Sequence, residues 1–179
     1  MLTRFGVVLG SIALIASAGG ASAREWSHSS TDIASDYLTV HDNRGNGDQA
    51  LIMWLAPPMV PQAGADAKAL FSKTLFIGTV FFHVDAATGE FIVLPSGDVS
   101  VTNGAGEPVR EIPESKRSPV LSGTVVVMGS AMSKALGKMG SGLVWRTYEA
   151  KSVDACKPGG LKIRLAGVDY TYDTPVPGC

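Results

Sequence analysis

Three side chains have the chemistry of metal ligands and a spacing that could bring them together. His41 ends one alternating segment, and His83 and Asp85 stand two residues apart in another. Residues two apart on a strand share a face, so these three could form one metal site if their strands are neighbours. Thioether ligands, which suit copper, could come from Met53, Met59, Met128, Met132 and Met139. Zinc or copper binding is therefore one candidate function, and core packing is the alternative explanation of the methionines.

Local motifs for nucleophilic catalysis and phosphate binding are absent from the sequence. There is no Gly-x-Ser-x-Gly elbow and no Ser-x-x-Lys motif. The pair Gly137-Lys138 resembles part of a phosphate loop, but Met132 stands where that loop requires glycine. The pattern favours a protein that is not an enzyme and needs no cofactor. An active site assembled only by folding needs no local motif, so whether the chain is an enzyme stays open.

The two cysteines, Cys156 and Cys179, predict a single disulfide bond. Cys179 ends the chain after a proline-containing tail, and a bridge to Cys156 would hold that tail against the body of the protein. Loop-closure entropy for a loop of this length gives a stabilisation of about 3 kcal/mol. A catalytic or metal-binding thiol pair usually shows a close C-x-x-C spacing, which this sequence lacks.

The N-terminal residues have the layout of a secretory signal. Arg4 precedes an apolar run from Phe5 to Ala18, and the triplet Ala21-Ser22-Ala23 is the small-x-small pattern that a signal peptidase accepts. The sequence therefore predicts a signal peptide over residues 1–23, cleavage after Ala23 and a periplasmic location. After the signal the most apolar stretch, Leu75 to Val84, is too short to cross a bilayer, so no membrane span is predicted in the mature chain.

The charge balance bears on the class of partner. The chain holds 15 basic and 16 acidic residues, and removal of Arg4 with the signal leaves 14 against 16. Nucleic-acid binding requires clustered positive charge, so this balance argues against it. The remaining candidate partner for a protein without an enzyme motif is another protein.

The mature chain, residues 24–179, reads as a single β-rich α+β domain, a mostly antiparallel sheet or sandwich with one or two short helices. Abundant glycine and scattered proline suit a turn-rich β protein. A helix is predicted over Ala65 to Phe76 and a short one over Ala131 to Lys138. The strands are predicted at residues 37–41, 50–55, 79–85, 90–94, 98–102, 123–128, 143–149, 161–165 and 168–172.

One segment suggests a binding function. From Leu51 to Pro61 the chain is apolar at odd and even positions alike, whereas a strand with one solvated face would alternate. Either this is a central strand buried on both faces, or its outer face contacts a partner. The partner-binding residues would then be Met53, Trp54, Pro57, Pro58 and Met59. The sequence therefore favours an exported non-enzymatic protein acting by protein–protein contact, of the inhibitor, immunity or assembly type.

Overall fold

A computed structural model describes residues 37–59 and 64–177, which form two antiparallel sheets and a layer of helices. The β-rich α+β class is confirmed. The strands are β1 (Thr39–Asn43), β2 (Asp48–Leu55), β3 (Thr74–Val84), β4 (Phe91–Val93), β5 (Ser100–Asn103), β6 (Val144–Glu149), β7 (Gly159–Leu165) and β8 (Val168–Thr174). The helices are α1 (Ala65–Lys73), α2 (Pro119–Leu136) and α3 (Lys138–Gly142), with 3-10 turns at Pro57–Met59, Glu114–Lys116 and Ala150–Ser152. The predicted signal peptide lies outside the described residues.

The first sheet is built around β3, its longest strand. Strand β2 pairs along one edge of β3, and β1 pairs with β2. The other edge of β3 is shared, because β6 pairs with Thr74–Thr79 and β4 with Phe82–Val84. The second sheet has the order β5-β7-β8. Its β7–β8 hairpin turns through Ala166 and Gly167, both at positive φ, as a tight two-residue turn requires.

Alternate residues of β2 and β3 enter two different cores. Ile52, Trp54 and Ile77 belong to the cluster between the two sheets, which also holds Leu161 and Ile163 of β7. We call this side of the first sheet the inner face. Intervening residues such as Met53 and Phe76 belong to a second cluster beneath the helices, on what we call the outer face. The lack of alternation in the Leu51–Pro61 segment therefore agrees with burial of β2 on both faces.

Helix α2 covers the outer face of the first sheet. Part of this helix was predicted to be a strand. Its Leu121 is buried, and Val125, Met128 and Met132 pack partly buried against the outer cluster. The predicted strand over 123–128 is wrong, and the helix predicted over 131–138 belongs to a longer one that begins at Pro119 and ends at Leu136. The spacing of those four residues is helical, and the side chain of Ser118 caps the N-terminus by accepting a hydrogen bond from Leu121 N at 3.2 Å. Capping and packing outweigh the strand preference of the valines.

The junction between α1 and β3 also differs from the prediction. The helix ends at Lys73 and β3 begins at Thr74, so the apolar residues from Leu75 onward extend the strand.

Gly78 of β3 is required for close packing, because a Cβ there would lie 2.9 Å from the ring of Trp145 on β6. In the connection between β5 and α2, Val109 is buried against the inner core.

Candidate functional site

An open groove of about 1000 Å³ lies at the end of the first sheet where β2 runs out into the Pro57–Met59 turn. Trp54 and Leu75, which are buried in the inner core, form its base. The rest of the lining comes from the end of α1, from Pro57, from the turn that follows β5, from the start of β7 and from the connection over residues 149–158. The groove is therefore bounded by elements from both sheets and from the helical layer.

Trp54 anchors the base of this groove. It is fully buried and packs edge-on against Tyr172 of β8, with ring centroids 5.7 Å apart. Among the described residues its indole N–H has no hydrogen-bond partner. Burial without a partner is costly for an N–H group, so the packing of this ring outweighs that cost at the junction of the two sheets.

The charged side chains that line the groove leave an excess of positive charge. Asp154 is paired with Lys157 at 3.1 Å, and Glu149 is paired with Arg110 at 3.2 Å. Lys73 and Lys151 also line the groove, are exposed, and form no ion pair within the described residues. The groove therefore presents two lysines without a carboxylate partner.

The connection that carries Cys156 is held in place by hydrogen bonds. The Asp154 carboxylate accepts one from Cys156 N at 2.9 Å, and this backbone N–H followed by Lys157 lowers the pKa of Asp154. Val176 N donates to the Ala155 carbonyl at 2.7 Å, which ties the end of the described chain to the groove wall. No free cysteine occurs among the described residues. Cys179 lies outside them, so its bridge to Cys156 stays a prediction.

The structure does not bring His41, His83 and Asp85 together. His41 pairs with Leu51 and stacks on Phe82, so it lies on the outer face. His83 is the next residue along β3 and lies on the opposite face, where its Nδ1 is 2.8 Å from the Asp48 carboxylate. Strands β1 and β3 are separated by β2.

Asp85 stabilises the turn between β3 and β4. Its carboxylate accepts hydrogen bonds from Thr88 N at 2.7 Å, from the Thr88 hydroxyl at 2.9 Å and from Ala87 N at 3.0 Å. These bonds hold the pKa of Asp85 below its usual range, and the bond from Thr88 N lowers it most. Within the described residues no group of three or more His, Cys, Asp or Glu side chains could hold a metal ion.

The residues predicted to bind a partner differ in their accessibility. Met53 and Trp54 are buried, Met53 on the outer face and Trp54 on the inner one. A buried side chain cannot be the first contact of a partner. Both residues therefore fit the alternative explanation, in which this segment is a central strand buried on both faces. Pro57 and Pro58 are half-buried, and Pro57 lines the groove. Met59 closes the same turn, and its side chain lies outside what the structure describes.

A polar cluster at the far end of β2 was passed over by sequence reasoning. The Arg44 guanidinium donates to Tyr170 Oη at 3.0 Å and to the Ala166 carbonyl at 3.2 Å, and lies 4.9 Å from the centre of the Phe81 ring. Tyr170 in turn donates to Asp42 at 2.6 Å. The connection between β1 and β2 therefore ties the first sheet to the β7–β8 turn of the second.

Sequence reasoning recognised part of the groove and missed the rest. The segment around Trp54 and Pro57 was singled out by its lack of alternation, and Cys156 by its predicted bridge. Lys73 and Lys151 carry no local signal, because an exposed lysine at a helix end or in a turn is common in any soluble protein. Comparison of the chain with protein-family models, with curated proteins and with solved structures finds no match.

Proposed function

We propose that the chain is an exported, non-enzymatic periplasmic protein that acts by binding another protein, as an inhibitor, immunity or assembly factor. The groove receives an extended acidic segment of that partner. The observation that carries the proposal is the groove of about 1000 Å³ at the Pro57 end of the central strand. Export rests on the sequence of residues 1–23.

The shape of the groove supports a peptide segment as the occupant. A volume of about 1000 Å³ is at the upper end of what small-molecule sites use, and this groove is open to solvent. Its accessible apolar lining includes Pro57, Ala105 and Pro158, and its lining also offers backbone at Gly104, Gly159 and Gly160. An extended segment could bury apolar side chains against this lining and form main-chain hydrogen bonds with that backbone.

The charge of the groove supports an acidic occupant. Lys73 and Lys151 both line the groove without carboxylate partners among the described residues, so a carboxylate held close to the two would gain from both. Rim charges of this kind mainly raise the rate of association and select among partners. The chain as a whole is slightly acidic, so the attraction is local to the groove.

The arrangement of nucleophiles supports binding in preference to catalysis. Ser72 and Ser152 line the groove, but neither His41 nor His83 does. His83 pairs with Asp48, at the opposite end of β2 from the groove. A serine nucleophile needs a base within hydrogen-bond reach, and neither described histidine lines the groove with these serines.

Site-specific photo-crosslinking in the periplasm tests the proposal. A photoreactive residue at Ser152, in the groove, is expected to capture a discrete protein that can be identified by mass spectrometry. The same residue at Thr88, in the exposed β3–β4 turn, is the matched control and is expected not to capture it. Capture of the same proteins from both positions, or of none from Ser152, would contradict the proposal.

Affinity for the captured partner provides the quantitative test. The double variant Lys73→Glu, Lys151→Glu reverses the charge of the groove, and we expect binding about tenfold weaker or more. The control Lys68→Glu, Lys162→Glu makes the same change in net charge at exposed lysines outside the groove. Equal losses in the two variants would show that net charge, and not the groove, governs binding.

A further inference from the structure

The side of α2 that faces away from the sheet is apolar. Val120, Val126 and Val127 are 69%, 70% and 68% exposed. Single exposed apolar residues are ordinary, but three valines on one helix face form a patch of the kind that marks an interaction surface. The 15 residues from Pro119 to Ser133 contain no charged side chain.

The exposed valines are not needed to hold the helix on the fold. Leu121, Val125, Met128 and Met132 already make the contacts with the outer cluster, and they lie on the other side of the helix. Within the described residues α2 is the one helix whose length and apolar composition would suit a membrane span, and only 6% of it is buried. It is therefore neither a core helix nor, at residues 119–136, an N-terminal signal.

The charged residues of the chain segment that contains α2 are all basic. From Ser115 to Tyr148 the chain contains no Asp or Glu, although the chain as a whole has more acidic than basic residues. Arg117 and Arg146 in this stretch are used by the fold, since they donate to Thr147 and Thr79 respectively. Three exposed lysines remain, Lys116 before the helix and Lys134 and Lys138 near its end. The apolar patch is thus flanked by cations at both ends.

The ends of α2 are fixed so that the helix lies along the sheet. Arg117 donates to Thr147 Oγ1 at 3.1 Å and to the Trp145 carbonyl at 3.4 Å, which holds the N-terminal end against β6. At the other end α3 leads directly into β6. Because both ends return to the same strand, α2 can lie on a surface without leaving the fold, whereas crossing a bilayer would require these contacts to break.

We propose that α2 is a peripheral membrane-binding element that inserts Val120, Val126 and Val127 at the boundary between the headgroups and the acyl chains of an anionic bilayer. An apolar helix face flanked by lysines matches such a surface in both respects, since acyl chains take the valines and anionic headgroups take the lysines. A second copy of the chain is a poorer occupant, because it would bring Lys134 and Lys138 to a face that offers no carboxylate. The proposal is independent of the groove.

Vesicle co-sedimentation of the mature protein tests this proposal. We expect binding to vesicles that contain phosphatidylglycerol to be at least about tenfold tighter than binding to phosphatidylcholine vesicles. The variant Val120→Ser, Val126→Ser, Val127→Ser is expected to lose about tenfold or more of the affinity for anionic vesicles. The variant Lys134→Gln, Lys138→Gln is expected to lose several-fold on anionic vesicles and nothing on neutral ones.

Matched controls separate this surface from general stickiness. Ile92→Ser with Val168→Ser removes apolar side chains that are 45% and 40% exposed elsewhere, and Lys68→Gln with Lys162→Gln removes two exposed lysines elsewhere. Both controls are expected to bind within about twofold of the parent protein. Circular dichroism melts establish that each variant is folded before it is compared.

Four results would overturn the proposal. The first is no sedimentation with anionic vesicles, and the second is binding that the valine variant retains in full. The third is a parent protein that is a dimer in analytical ultracentrifugation and does not bind vesicles, together with a valine variant that is a monomer. This result would assign α2 to contact with a second copy. Saturable binding of an acidic protein through α2, with no vesicle binding, would likewise assign it to a protein partner.

Discussion

The two faces of the first sheet are covered in different ways. The inner face packs against a second sheet, and the contact is reinforced by polar ties such as Arg44 to Tyr170 and the Ala166 carbonyl. The outer face is covered by α2, which contributes one buried side chain, Leu121, and several partly buried ones. The inner side is thus a closed interior, whereas the outer layer still exposes apolar surface of its own.

This difference indicates which side carries stability and which is available for binding. Side chains between the sheets are fully buried and contribute their whole transfer free energy to folding. The outward valines of α2 contribute almost nothing to folding, because they are exposed in the folded protein. The inner face should therefore respond strongly to substitution, and the outer surface of the helix should not.

The largest expected effect is at Trp54. Trp54→Ala removes a fully buried ring that contacts both sheets, and we expect the free energy of unfolding to fall by about 3–5 kcal/mol. Chemical denaturation followed by circular dichroism measures the loss. The comparison substitution is Val126→Ala on the outer surface of α2, for which the change is expected to stay within about 0.5 kcal/mol.

Similar losses in the free energy of unfolding for Trp54→Ala and Val126→Ala would contradict the contrast between the two faces. A Trp54→Ala protein that melts within a degree or two of the parent would mean that the ring is not part of the folding core. A large loss at Val126 would mean that the outward side of α2 is buried in solution, for example against a second copy. Ultracentrifugation of the parent protein at several concentrations distinguishes the second case.

The sequence predicted the inner half of the molecule better than the outer half. Strands β2, β7 and β8 were recognisable because their periodicity, or the lack of it in β2, reflects burial on one or two faces. In α2 the run Val125-Val126-Val127 has strand propensity, and the helix is selected by contacts with distant residues that no local pattern records. In the groove, the sequence drew attention to Trp54, Pro57 and Cys156. It did not indicate the lysines, because nothing in their local sequence records where they lie.

The second effect concerns the predicted bridge between Cys156 and Cys179. Removing it with Cys156→Ser is expected to cost about 3 kcal/mol, since the unfolded chain regains the entropy of an open loop. Thiol titration of denatured, unreduced mature protein is expected to give no signal. Two titratable thiols would refute the bridge, and a reductant that leaves the melting temperature unchanged would refute its contribution to stability.

The third effect is at the polar tie between the sheets. Arg44→Ala removes hydrogen bonds to Tyr170 and to the β7–β8 turn and leaves the Asp42 carboxylate without its cation. Because the guanidinium is about one-fifth exposed, we discount the charged hydrogen bonds for solvent screening and expect a loss of about 1–2 kcal/mol.

A surface ion pair gives the matched control for Arg44. Arg164 pairs with Asp169 at 3.3 Å with both side chains about half exposed, so Arg164→Ala is expected to cost less than about 0.5 kcal/mol. Urea denaturation of the two variants measures the difference. If Arg44→Ala costs no more than Arg164→Ala, the inner face is held by apolar packing alone.

The smallest effect is expected at Asp48, on the inner side of the first sheet, and it depends on pH. The Asp48 carboxylate lies 2.8 Å from His83 Nδ1 and accepts from Asn46 Nδ2 at 2.9 Å, and the bond to His83 contributes most to lowering its pKa below the usual 3.8. A carboxyl group whose pKa is lower in the folded protein stabilises it fully above the unfolded value. That contribution is lost as the pH falls through the folded value.

We therefore expect Asp48→Asn to lower the melting temperature slightly at pH 6, with the difference from the parent shrinking as the pH falls below 3.8. Asp173→Asn makes the same change in charge at an exposed position on β8 and controls for net charge. Thermal melts of all three proteins across this pH range make the measurement. A difference between Asp48→Asn and the parent that stays constant with pH would show that this carboxylate stabilises the hairpin by shape and not by charge.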